Sequence, residues 1–477
     1  MLFPRDLSIE IDSTTRSGPT WFNHVLEGFI EHAFETDACR RFLNGLIEQN
    51  PQLAPIYVPG NFDRDAPLVT NEALYPKLDG WQLRFRRGET HAAFKLGLDT
   101  ALLQPLASVL QLGFHGSQGD RAELIDAIAQ LGDDVVALVN KGPASLPTLW
   151  PRMAGPGILR CEHASLLIQS QTTGILVDPV ALQLGFPRMA DAPLHAVDAL
   201  PHALLITHSH DDHFHIPSLL ASSADTTQVI CPEVPSTSVM CRVDLAGAAR
   251  DFGLNATALP WGEAKEVGDI RITALPFYGE QPTRDAPGPA PNLRSWGSCY
   301  RVDTPEFSVL ILVDSGTDPS GCMEDAIADN RARHGAADIA ISCLRLFESP
   351  FFGGLPHYWA TLPFPRLREL WGQRARGSLP STTAGPDGVA AACHAGEIRY
   401  FLPYAHGFVG VGRAIDDIGW GLGEDSERSV CERLRNALDR RGAATQVVDW
   451  EVGDAAAVSS SGVHVTRVVG GRPTPRG

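Results

Sequence analysis

The chain has 477 residues, 44% of them hydrophobic and 20% charged, and a net charge of −17. These are globular proportions that exclude long disorder, and the length calls for two or three domains rather than one core. The acidic balance argues against nucleic acid or an anionic membrane as partner, and no apolar run approaches the roughly 18 residues that a membrane helix needs.

The first ten residues, Met1 to Glu10, lack a basic and then apolar stretch, so no secretory leader is expected. The nine cysteines are scattered without a C-x-x-C pair, which points to a reduced cytoplasm. Residues 1–150 carry no recognisable chemical signature. Apolar residues at helical spacing (Phe22, Val25, Phe29, Phe34, Phe42, Leu46) predict a helix over Trp21–Asn50, and Leu124, Ile128, Leu131, Val135 and Leu138 predict another near Arg121–Asn140. The segment reads as a mainly helical N-terminal domain for docking or dimerisation. Lys141–Pro147, with Gly, Ser and two prolines, marks its end, and a chain starting near Gly155 is expected to keep the chemistry downstream.

From Gly157 the texture changes to short β-rich runs. Ala164–Gln169 and Gly174–Val177 flank the polar Ser170–Thr173, a hairpin signal, and the second run ends in Asp178. Ala203–Ile206 reads as a buried strand that feeds Thr207-His208-Ser209-His210-Asp211-Asp212-His213-Phe214-His215, after which Ile216-Pro217 can start a helix. Four histidines and two aspartates in nine residues form a density that ordinary surface or core use rarely produces. His208 and His210 are two apart, so extended backbone projects both to one side. Asp212 and His213 follow as the chain curls, facing a second point. Imidazole and carboxylate at that spacing suit two metal ions, zinc or iron. Further on, a helix is predicted over Ser238–Phe252. Strands are predicted at Arg271–Pro276, running into Phe277–Glu280; at Val309–Val313, stopped by Asp314; at Ala337–Ser342; and at Glu397–Pro403, before His406. The Ser-, Gly- and Pro-rich stretch from 457 to 477 is expected to fray.

The His-x-His-x-Asp-His pattern resembles the signature of the metallo-β-lactamase fold superfamily. That resemblance implies an α/β fold, an αββα sandwich over residues 157–456. It implies metal ligands at His208, His210, Asp212 and His213, with Asp314 bridging two ions and Asp178 supporting the histidine loop. His406 is the implied last ligand, and His357 is its rival. The chain departs from the superfamily's hydrolases at the third motif, since no histidine occurs from Ile216 to Arg333 and the matching strand end offers Glu280. A carboxylate there hardens the site and favours iron, whereas zinc has no redox chemistry. The combination resembles the diiron oxygenases built on this fold, such as the β-hydroxylase of chloramphenicol biosynthesis, which acts on a carrier-tethered amino acid.

The resemblance therefore implies a non-haem diiron, O2-dependent monooxygenase. His208, His210 and Glu280 would hold one iron, and Asp212, His213 and His406 the other, with Glu280 and Asp212 closest to the chemistry. The implied substrate is amino-acid-like, either a free small molecule or bound to a carrier protein, with an external electron donor. The alternative is a dizinc hydrolase of a phosphodiester, amide or lactone, in which Asp212 accepts a proton. A degenerate binding module is the third reading.

Overall fold

The computed structural model describes residues 3, 7–15, 35–49, 51, 61–67, 70–98, 100–115, 120–129, 131–140, 153–161, 163–179, 200–279, 293–346, 362–405, 427–459, 462–469 and 472–475. The N-terminal segment contributes β1 (Ser8–Thr15), α1 (Thr36–Gln49), α2 (Asn71–Leu74), β2 (Leu78–Arg87), β3 (Thr90–Gly97), α3 (Thr100–His115), α4 (Arg121–Ala129) and α5 (Asp133–Asn140). β1, β2 and β3 form an antiparallel sheet beside the helices of the segment expected to be mainly helical. The single helix predicted over Arg121–Asn140 is two, because Gly132, at φ 124°, turns the chain between α4 and α5. Of the helix predicted over Trp21–Asn50, only Thr36–Gln49 falls in the described residues.

Two large mixed sheets follow. The nine-stranded sheet runs β21-β20-β19-β4-β5-β6-β7-β8-β9, where β4 is Gly157–Arg160, β5 Leu166–Gln169, β6 Gly174–Val177, β7 Ala203–Leu205, β8 Gln228–Pro232 and β9 Asn255–Leu259. Its other edge is β19 (Asp454–Ser459), β20 (Gly462–Val469) and β21 (Arg472–Pro475). The seven-stranded sheet runs β10-β11-β12-β13-β16-β17-β18, with β10 Ala264–Val267, β11 Ile270–Pro276, β12 Ser298–Asp303, β13 Ser308–Val313, β16 Ile339–Ser342, β17 Tyr400–Pro403 and β18 Gln446–Val447. A small ribbon, β14 (Thr317–Asp318) and β15 (Gly321–Cys322), follows β13. Each large sheet has a parallel half, β6 to β9 in one and β13, β16, β17 and β18 in the other. Parallel strands align their carboxyl ends, which is where side chains from several strands can meet.

The helices of this part are α6 (Ile216–Ser222), α7 (Leu245–Asp251), α8 (Met323–His334), α9 (Phe364–Ala375), α10 (Gly385–Gly396) and α11 (Glu427–Arg441). The helix predicted over Ser238–Phe252 is confined to α7, because Ser238 and Cys241 close a backbone turn on each other and the helix begins only after Asp244. The tail expected to fray is instead paired. β19 joins β4, and β20 and β21 extend the edge through main-chain hydrogen bonds, with Ala456, Val458, Val463 and Val465 packing on the core.

Strand alternation places the cores. Leu166 and Ile168 of β5 belong to the apolar cluster between the sheets, with Ile175, Val177, Leu205, Ile272, Val302 and Ile311. Leu159, Leu167, Leu176 and Leu204 point to the opposite face. That face is covered by the N-terminal segment: Trp81, Leu83, Leu103, Leu106, Leu110 and Phe114 pack with these leucines and with Leu219 and Phe252 in one continuous cluster. Trp81 meets Phe252 edge-on, ring centroids 5.1 Å apart. The shared core changes the expectation for truncation. Exposing four buried leucines costs about 1.5–3 kcal/mol each, comparable with the roughly 5–15 kcal/mol stability of a whole domain. A chain beginning near Gly155 is therefore expected to lose nearly all soluble yield. A soluble truncated protein with a wild-type melting temperature would contradict this.

Candidate metal centre

The centre is built on Asp178 and Thr207. β6 ends in Asp178, whose backbone N–H donates to Leu205 O of the neighbouring β7 at 2.9 Å. Its carboxylate, fully buried, accepts from Thr207 N at 2.8 Å, Thr207 Oγ1 at 2.5 Å and His213 Nδ1 at 2.8 Å. These bonds fix proton positions. His213 donates through Nδ1 and so turns Nε2 toward the site. Thr207 Oγ1 spends its proton on Asp178, so it accepts from His208 Nδ1 at 3.0 Å, which leaves the His208 Nε2 lone pair facing inward.

The second sheet holds the loop from its other side. Tyr300 Oη donates to Ile206 O at 2.7 Å, and Ser298 N donates to Thr207 O at 2.8 Å. Gly297 sits so close that a Cβ would lie 2.9 Å from both His208 Cβ and the Phe277 ring. Phe277 in turn stacks on the His208 ring, centroids 5.4 Å apart. After His208 the chain turns, with His213 N and Phe214 N both donating to His210 O. His215 turns its Nδ1 to Ser218 of α6. Neutral because burial drops its pKa to about 3, it caps α6 by accepting from Ser218 N at 3.3 Å.

Five of the predicted ligands come together. His208 Nε2 lies 2.9 Å from His210 Nδ1 and 3.9 Å from Asp314 Oδ2. His213 Nε2 lies 3.9 Å from the same Asp314 oxygen and 4.0 Å from Asp212 Oδ2. Metal–ligand bonds of about 2.0–2.2 Å put two ligands of one ion roughly 3–4.3 Å apart, and these separations fall in or beside that range. Asp314 follows Val313 at the end of β13 and stands between the two histidine groups, equidistant from both. Glu280, His406 and the rival His357 lie outside the described residues.

His163 was not anticipated. It sits in the turn between β4 and β5, 4% exposed, with Nε2 2.9 Å from Asp212 Oδ2. A lone histidine at a strand turn is an ordinary sight in a sequence, and its partner lies 49 residues on, so only the fold brings the two together.

The electrostatics match the geometry. Burial and the neighbouring His213 and His210 hold His208 well below the usual imidazole range. Burial alone would raise Asp212, yet His213 and His163 beside it hold its carboxyl well below the usual carboxylate range. His213 is pushed the other way: against burial, Asp212, Asp178 and Asp314 raise it to about 9. Burial, with Asp12 of β1, raises Asp211, so the N-terminal sheet reaches the electrostatic surroundings of the loop. Buried carboxylates facing imidazole nitrogens are the donor set of a divalent transition metal pair, and this one fits two ions sharing Asp314.

The third strand end is also fixed. Gly279 N donates to Asp318 Oδ2 at 2.9 Å, and buried Arg294 bonds the same oxygen at 2.9 Å and Phe277 O at 2.7 Å. Gly279, at φ 113°, approaches Thr382 so closely that a Cβ would lie 2.5 Å from its carbonyl oxygen. Tyr278 N donates to Ser315 Oγ at 3.1 Å, and Gly316 N donates to Tyr278 O at 2.7 Å. The strand end leading to Glu280 and the one carrying Asp314 are thus tied together.

Residues 173–345 match the beta-lactamase superfamily domain. The crystal structure of CmlA, a diiron beta-hydroxylase from Streptomyces venezuelae, superposes with a TM-score of 0.57 at 16% identity over 94% of this chain and 97% of that one. The likeness is one of fold, and it includes the segment ahead of the lactamase domain. In sequence, the chain is 32% identical over 122 residues to the 4-amino-L-phenylalanyl-(CmlP-peptidyl-carrier-protein) 3-hydroxylase of Streptomyces venezuelae, covering 25% of this chain and 23% of that protein. It is 31% identical over 130 residues to a UPF0173 protein of Pyrococcus furiosus, covering 27% of this chain and 51% of that protein. The chain thus spans about half of one curated relative and about a quarter of the other. Among the described residues no helix is long and apolar enough to cross a membrane.

Proposed function

We propose that the protein is a non-haem diiron monooxygenase that hydroxylates an amino-acid-like substrate, with the lactamase domain as its catalytic part. The observation that carries this reading is the third strand end. Phe277 stacks on His208 and so brings the end of β11 to the histidine loop, and in sequence this strand end runs on to Glu280, in a stretch from Ile216 to Arg333 without histidine. The fold likeness to a diiron beta-hydroxylase and the sequence likeness to a carrier-protein hydroxylase support the same reading. By that analogy the substrate is presented on a carrier protein, and the N-terminal segment is the part available to dock it.

In this reading His208, His210 and Glu280 would hold one ion and Asp212, His213 and His406 the other, with Asp314 shared between them. Two irons would supply redox activation of dioxygen, which zinc cannot. The balance is R–H + O2 + 2 e− + 2 H+ → R–OH + H2O, so a separate two-electron donor is required. Asp178 and Thr207 accept the Nδ1 protons of His213 and His208, so each imidazole aims Nε2 at the site, and an ion binding there would displace the Nε2 proton that the surrounding carboxylates favour on His213. Phe277 and the Gly297 backbone close the side of His208 to water. Glu280 supplies a carboxylate that can bind through one oxygen or two, where histidine offers one nitrogen in one geometry.

Glu280→His tests this directly. The variant is expected to keep two metal ions and lose oxygen-dependent turnover, while Glu280→Ala should lose turnover and part of its metal, measured by elemental analysis and an oxygen electrode. Full activity and full metal content in Glu280→Ala would sink the assignment. Retained oxygen-independent hydrolysis in the wild type would favour the dizinc hydrolase.

A further inference from the structure

We infer that His163 is a further ligand of the second metal ion, joining Asp212, His213 and the shared Asp314 in the set that is proposed to include His406. The inference rests on the dinuclear reading above and adds a residue that the histidine loop does not contain. Its Nε2, Asp212 Oδ2 and His213 Nε2 converge on one point, each pair of ligand atoms within 4.8 Å. His163 to Asp212 is 2.9 Å and Asp212 to His213 is 4.0 Å, as for cis and wide pairs about one ion at bonds of roughly 2.1 Å. The two imidazoles stand edge to face, centroids 5.4 Å apart, so both can aim nitrogens at the same place without stacking. Without His163, the described residues give this ion only Asp212, His213 and a share of Asp314.

The backbone is bent to make the placement. His163 has φ 52°, a left-handed conformation that is uncommon for a side-chain-bearing residue. Among the described non-glycine residues only five have positive φ, and four of them, His163, Asp178, Val313 and Ala405, lie at strand ends around this centre. Strain concentrated in this way marks positions that the surrounding structure over-determines for a purpose. Two hydrogen bonds hold the turn: Cys161 N to Ser165 O at 3.0 Å, and Ala405 N to His163 O at 3.1 Å. The second bond fixes the β4–β5 turn to the end of β17, so parts of both large sheets set where the imidazole stands.

The competing role is that of a positioning residue whose Nε2–H merely donates to Asp212. The two roles separate in metal stoichiometry, measured with cobalt(II) alone so that iron chemistry does not enter. Wild-type protein is expected to bind two cobalt ions per chain by elemental analysis and by titration of the visible ligand-field bands. One ion or none would overturn the dinuclear reading itself, whatever His163 does. His163→Gln keeps an N–H donor at about the reach of Nε2 and removes the imidazole lone pair. It is expected to hold one ion per chain, with affinity for the second reduced more than 100-fold. His163→Gly suits the left-handed backbone and opens a space the size of the ring, and millimolar imidazole is expected to restore its second ion. Circular dichroism and thermal melting confirm that each variant is folded. If folded His163→Gln binds two ions within about tenfold of wild-type affinity, or if imidazole fails to restore the second ion in folded His163→Gly, His163 is not a ligand.

Discussion

Asp314→Ala is expected to fold and to lose both metal ions under conditions that saturate the wild type. The reason is electrostatic. In two-metal sites the ions lie about 3.5–4 Å apart, where two dications repel by on the order of 17–19 kcal/mol at an effective dielectric of 20. A carboxylate about 2.1 Å from each ion attracts the pair by on the order of 30 kcal/mol at the same dielectric, more than the repulsion. Asp314, whose Oδ2 stands 3.9 Å from Nε2 of both His208 and His213, is the described carboxylate placed to do this. Asp314→Asn keeps the shape without the charge and should retain at most one ion. Elemental analysis after gel filtration reads the result, and two ions retained by the alanine variant would contradict the bridging role.

Asp178→Ala is expected to weaken metal binding roughly 10–100-fold, the usual effect of losing a group that orients a ligand, although Asp178 itself touches no metal. It also removes the acceptor for three hydrogen bonds in a site without solvent, which destabilises the metal-free protein by several kcal/mol, at about 1.5–3 kcal/mol per bond to a charged group. Asp178→Asn should rescue little. One oxygen becomes an NH2, which faces either Thr207 N–H or the Thr207 and His213 donors, so two donors meet. Chelator competition measures the first effect and thermal melting of the metal-free protein the second. Unchanged affinity in the alanine variant would show that Asp178 does not orient the loop.

Much of the part from Gly157 onward was legible because its elements obey simple periods. The apolar runs at Ala203–Ile206, Val309–Val313 and Ile339–Ser342 are buried parallel strands, and each reads as a nearly unbroken hydrophobic stretch. The histidine loop was legible from density alone, and Pro217 with the leucines after it marked α6. The N-terminal sheet was missed although Trp81, Leu83 and Phe85 alternate with Gln82, Arg84 and Arg86, a period-2 signal that helix-spaced neighbours masked. The tail reads as frayed because its Ser, Gly and Pro residues outweigh the few valines, Val458, Val463 and Val465, that pack on the core while main-chain bonds pair the strands. Neither Asp178's contact with Thr207 and His213 nor His163's with Asp212 has a local sequence cause. Both depend on strands that pair across tens of residues.

The central claim, that the centre is a redox diiron site, is tested most directly by metal content and oxygen uptake measured together. Protein produced with iron supplied should carry about two irons per chain and, after chemical reduction, consume dioxygen. Two tightly held zinc ions, with hydrolytic turnover and no oxygen uptake by the iron-loaded, reduced protein, would contradict it.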